Sequence, residues 1–111
     1  MGMIEIDPGG LTARLALQAP VTVPDGQGGA AIGFEVLALI WARIEPRLVT
    51  VTEQAGAETV TVTHDIWIRQ RAGVAAGMRF VKGGRIFAVK AVHDPDETGR
   101  YLVCRCEEEG R

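Results

Sequence analysis

The chain alternates apolar and polar positions with a period of two over most of its length, and that period predicts β-strands. Leu11, Ala13, Leu15 and Leu17 alternate with Thr12, Arg14, Ala16 and Gln18, giving a first strand with one buried face. Pro20, Pro24 and the run Asp25-Gly26-Gln27-Gly28-Gly29 predict a loop, because glycine opens backbone angles closed to other residues. Phe34 to Glu45 is almost continuously apolar. Leu37, Ile40, Trp41 and Ile44 also fit a helical stripe, but strands on both sides favour a long buried strand ending at Pro46. The third strand is the clearest: Val60, Val62, His64, Ile66 and Ile68 share one face, and Thr59, Thr61, Thr63, Asp65, Trp67 and Arg69 the other.

Between them, Arg47 to Ala57 is ambiguous, since Leu48, Val49 and Val51 could extend a strand or begin a helical turn; we read it as a long, polar-tipped loop. Beyond the turn at Ala72-Gly73, Met78 to Val81 and Ile86 to Val92 flank Lys82-Gly83-Gly84-Arg85, a hairpin signal. An acidic turn, Asp94-Pro95-Asp96-Glu97-Thr98-Gly99, leads to a last strand in which Tyr101, Val103 and Arg105 alternate with Leu102, Cys104 and Cys106. Five or six short strands and no convincing long helix predict an all-β fold, a small antiparallel β-barrel with a long loop between its second and third strands. One domain is expected over 1–111, with an N-terminal arm at 1–10 and a solvated acidic tail at 107–111.

Charge and composition narrow the chemistry. The formal charge of -2 and a pI near 5.6 give no basic excess, which argues against gripping phosphates as a main task. No apolar run approaches the roughly 18 residues of a membrane helix. Met1 to Pro8 carries Glu5 and Asp7 without a basic residue, unlike a signal peptide, so residence in the bacterial cytosol before assembly is expected. There is no serine and no asparagine, so neither a serine nucleophile nor a Cys–His–Asn set can form. An enzyme is not expected.

Each remaining candidate has a plain structural alternative. Cys104 and Cys106 share a strand face and could be half of a metal site, but His64 and His93 lack matching spacing, so two buried thiols are favoured. Asp94, Asp96 and Glu97 could hold a cation; without a calcium loop's ligand ladder, turn chemistry is the better reading. Trp67, Arg69 and Arg71 form a patch suited to an interface centre or to phosphate contact, with a solvated rim as the plain alternative; Asp94, Asp96, Glu97 and the Glu107 to Glu109 tail could complement it on a neighbouring subunit. No metal, cofactor or catalytic residue is assigned.

Taken in order, a set of landmarks resembles the phage head–tail joining family, the head-closure or stopper proteins of long-tailed phages. They are Leu11-x-x-Arg14, Asp25-x-x-Gly28-Gly29, Trp41-Ala42, Glu45-Pro46, Ile68-Arg69-x-Arg71-x-Gly73, Met78-Arg79, Gly84-Arg85-x-Phe87, Val92-x-Asp94-Pro95-Asp96-Glu97 and Cys106-Glu107. Phe34 departs from the pattern, standing where such proteins often carry tryptophan. The resemblance extends to gene transfer agents and implies a β-barrel protomer in a sixfold or twelvefold ring between the portal-bound adaptor and the tail. Its partners would be copies of itself, the adaptor, a tail terminator or tail tube protein, and double-stranded DNA passing through the channel, with no cofactor and no membrane. Thr50, Thr52, Glu53, Gln54 and Glu58 would then form a channel loop. A tail-terminator protein is the nearest alternative; an OB-like nucleic-acid module is another, weakened by six aromatics in a net acidic chain.

Overall fold

A computed structural model describes residues 10–55 and 58–110, with the backbone alone for 48–55 and 58. Six antiparallel strands close on themselves: β1 (Ala13–Pro24), β2 (Ala30–Ala55), β3 (Glu58–Arg69), β4 (Arg79–Lys82), β5 (Arg85–His93) and β6 (Tyr101–Glu108). The order around the barrel is β1-β2-β3-β6-β5-β4, so the predicted all-β architecture is the observed one. Closure rests on a short seam in which Ala16, Leu17 and Gln18 of β1 pair with Val81, Phe80 and Arg79 of β4.

Alternation decides which side chains fill the interior. Leu15 and Leu17 from β1, Ile66 and Ile68 from β3, Phe80, Phe87 and Val89 from β4 and β5, and Cys104 and Cys106 from β6 make one buried cluster. His64 continues the inward row of β3 and meets Phe87 edge-on, with ring centroids 5.1 Å apart. Turns close the strands with local chemistry. Gly83 takes a φ of +59° in the two-residue turn between β4 and β5, a region that L side chains enter at a cost.

Two expectations fail in the same strand. β2 is not continuously buried: among its residues with described side chains Ala42 is the buried apolar one, while Ile32, Val36, Leu37, Leu39 and Trp41 are exposed. The reason is topological. β3 begins to pair with β2 only at Ala42, opposite Ile68, so the stretch from Ala30 to Trp41 is flanked by β1 alone. With β1 leaving β4 after Gln18, Ala19–Pro24 and Ala30–Val36 form a two-stranded ribbon standing off the barrel.

The segment expected as a loop is also strand. Backbone pairing resumes beyond a register shift after Pro46, with Val51 opposite Val62 and Ala55 opposite Glu58, so β2 and β3 extend as a hairpin arm. β-branched Val and Thr residues fill this stretch on both strands, and they favour extended backbone over a polar loop. The acidic tail is partly structural too: Glu107 and Glu108 belong to β6, and Glu108 is buried.

Candidate interaction surfaces

The outer wall of β2, β3 and β6 carries a belt of charges held across strands. Arg47 Nη1 donates to Asp65 Oδ2 at 2.7 Å, and Arg105 Nε lies 3.2 Å from Asp65 Oδ1. Arg43 pairs with Glu45, whose other carboxylate oxygen accepts the indole N–H of Trp67. Desolvation lowers the pKa of Arg105, and nearby Arg47 adds to the effect, so Asp65 serves two cations that would otherwise repel. From the sequence alone, Glu45, Arg47, Asp65 and Arg105 do not connect into a charge network. Strand alternation marks them as outward-facing, but only the register brings Glu45 opposite Asp65 and Asp65 opposite Arg105.

The predicted interface residues lie at one end of the barrel. Trp67 is half-buried within the belt, Arg69 is exposed opposite Tyr101, and Arg71 follows just past the strand. Among the described residues, Arg71 Nε is buried without a hydrogen-bond partner. The Asp94–Gly99 turn sits beside them, since the amide of Gln70 donates to the Arg100 carbonyl at 2.9 Å. The arginines and the acidic turn therefore neighbour each other within one subunit rather than marking two separate faces.

Within that turn the carboxylates are already occupied. Asp94 Oδ1 accepts the Glu97 amide at 2.8 Å, and its Oδ2 accepts the Gly99 amide at 2.8 Å. Asp96 accepts from the amide and hydroxyl of Thr98 and pairs with Arg100 at 3.3 Å. Glu97, at a φ of +59°, is the exposed acidic group of the three. Asp94 and Asp96 act as turn builders, in line with the turn-chemistry reading.

At the opposite end a cleft of about 930 Å³ opens among Arg43, Arg47, Thr61, Thr63, His64, Lys82 and Arg85. Three of its cations are paired: Arg43 with Glu45, Arg47 with Asp65, and Arg85 with Glu108. Cys104 and Cys106 point into the core, where burial pushes the Cys104 thiol up to about 12 and the Cys106 thiol further still. Thr50, Thr52, Glu53, Gln54 and Glu58 have side chains outside the described residues; only their place in the hairpin arm is given.

No curated protein matches the chain. A solved protein of the virion of a native gene transfer agent particle is similar at 26% identity with a TM-score of 0.66, covering 88% of this chain and 93% of that one. Protein SF1141 from Shigella flexneri 2a shares the fold at 23% identity with a TM-score of 0.68, covering 96% and 99%. The family model of the phage head completion protein matches residues 6–109. On that match, spanning nearly the whole barrel, the chain belongs to the phage head completion protein family.

Proposed function

We propose that this head completion protein is a head-closure subunit, forming a ring between the portal–adaptor complex and the tail of a tailed phage or gene transfer agent. The family match over residues 6–109 carries the reading, and the likeness to a protein of a gene transfer agent virion supports it. In this reading the ring closes the DNA-filled head and presents the surface on which a tail terminator or tail tube docks. Trp67, Arg69, Arg71 and Glu97 supply contacts at the barrel end where they gather. The arm spanning 47–58 lies toward the channel; its Thr50, Thr52, Glu53, Gln54 and Glu58 neutralise no phosphate, which suits a passage through which DNA must slide.

Electron microscopy of particles made without this protein tests the role. Full or leaking heads accumulating beside free tails are expected. Normal tailed particles in normal numbers would overturn it. Glu53→Lys with Glu58→Lys tests the arm: slower DNA ejection from normally assembled particles is expected, and failed assembly without an ejection defect would move the arm to a subunit contact.

A further inference from the structure

We infer that two copies of the free chain pair through the open edge of β2, Ala30 to Trp41, in a twofold contact that joins the β1–β2 ribbons into one four-stranded sheet. This goes beyond the head-closure reading. A ring contact joins two different patches of one subunit, whereas this contact joins a patch to itself and concerns the chain before assembly.

The ribbon's two edges are not alike. Along Ala19–Pro24 the outer edge of β1 carries Pro20 opposite Phe34 and Pro24 opposite Ala30. A proline keeps its place in a ladder when its nitrogen faces away from the paired strand, so both nitrogens face the open side. Positions two apart share a direction, which leaves Thr22 as the outward donor between two blocked sites. That edge is closed to a further strand. On the other side, Ala30 to Trp41 contains no proline and, among the described residues, pairs with nothing beyond β1. A long proline-free edge exposes a row of unpaired N–H and C=O groups, which act as a template for another strand.

The side chains along this edge point to the same occupant. Leu39 is 60% exposed and Trp41 53%, in line with Ile32, Val36 and Leu37. Together they offer on the order of 500 Å² of apolar surface per copy; edge pairing would bring the flanks of these side chains against their copies across the axis and cover the bare backbone edge between them. Exposed large hydrophobics among the described residues are confined to β1 and β2, with Val23 the remaining one. The surface of this chain that matches the stripe in apolar character is therefore the same stripe on another copy. Glu35 is the single charged residue from Ala30 to Trp41, so two edges can approach with little charge to desolvate. An antiparallel pair about a twofold axis also leaves no open β2 edge behind, which stops association at two.

Sedimentation of the full chain over a range of concentrations is the test. A reversible monomer–dimer equilibrium is expected for the natural sequence. Leu39→Lys and Val36→Lys should each weaken it by about tenfold or more, while Gln27→Lys, in the exposed turn, leaves it unchanged. Both edge positions are exposed, so thermal melting followed by circular dichroism should show the variants folded. In a Cys104→Val, Cys106→Val background, Ile32→Cys, Val36→Cys and Leu39→Cys, each made alone, give at least one disulfide-linked dimer and no larger species. A chain that stays monomeric at high micromolar concentration overturns the proposal. So does an association that grows past two copies, or one that the lysine substitutions leave intact.

Discussion

Arg85 grips the carboxylate of Glu108 with two donors, Nε at 2.8 Å and Nη2 at 3.1 Å, and thereby fastens the start of β5 to the end of β6. The two ends differ in setting: Glu108 is 7% exposed and Arg85 44%. Burial of the carboxylate gives the pair its weight, and water screens the guanidinium side. The hydrogen bond from Arg85 to Glu108 raises the pKa of Arg85, so the guanidinium stays charged throughout. His64 Nε2 lies 3.8 Å from the same carboxylate.

Arg85→Ala should therefore cost about 1–2 kcal/mol of unfolding free energy, because Glu108 keeps its burial and loses its principal donor. Glu108→Gln should cost less, since an amide can still accept one of the two bonds. Urea denaturation of both single variants and of the double variant measures the coupling directly. A coupling near zero would mean that the pair is decorative.

The turn between β5 and β6 gives a two-sided prediction. Asp94 caps three amides, those of Asp96, Glu97 and Gly99, so Asp94→Ala should destabilise by about 1–2 kcal/mol. Glu97 pays a conformational cost at a φ of +59°, and Glu97→Gly should recover up to about 1 kcal/mol. Thermal melting reads both, and the two shifts must have opposite signs.

Strand periodicity made the barrel legible: the inward rows Leu15, Leu17 and Val62, His64, Ile66, Ile68 are buried as their alternation predicts. The burial of β2 was not legible, because an apolar run says nothing about how many neighbours a strand has. Its exposure follows from where β3 starts to pair, at Ala42, a long-range fact. Register hid the outer belt in the same way, since Asp65 meets Arg47 and Arg105 only through two pairings distant in sequence. The turn at Asp94 was readable because its hydrogen bonds are local.

Alkaline stability should depend on the two core thiols. In the folded chain burial holds the Cys104 thiol up to about 12 and the Cys106 thiol higher, whereas both would ionise near their ordinary value of 9.0 once unfolded. A raised folded pKa means that the unfolded state releases its protons first. This contribution is fully present below pH 9 and is lost progressively as pH rises toward the folded values. Cys104→Val with Cys106→Val should flatten the fall in stability above pH 9 relative to the natural chain. Urea midpoints between pH 8 and 10.5, about one to two units either side of the thiol range, give the comparison; parallel curves for the two proteins would refute the assignment.

Arg79 clasps the ribbon of β1 and β2 to the barrel. Arg79, in the short strand β4, donates from Nε to Gln18 Oε1 at 2.7 Å and lays its guanidinium over the Phe34 ring, 3.8 Å from the centroid. Gln18 is the last β1 residue paired with β4, so the clasp sits where the ribbon leaves the barrel. A two-stranded ribbon without a third strand or packed face is only marginally stable, and this contact therefore governs its local opening. Arg79→Ala should accelerate exchange of the amides paired across the ribbon, those of Val21, Val23, Ala31 and Gly33, about tenfold, the equivalent of about 1.4 kcal/mol in local opening. Core amides at Ile66 and Cys104 should change far less. Arg79→Lys keeps the charge but loses the flat stacking surface, so it should restore only part of the protection. Phe34→Trp, offering a larger π face to the same guanidinium, should slow exchange below that of the natural chain. Equal acceleration in ribbon and core would instead mean that Arg79 supports the barrel as a whole, through the β1–β4 seam.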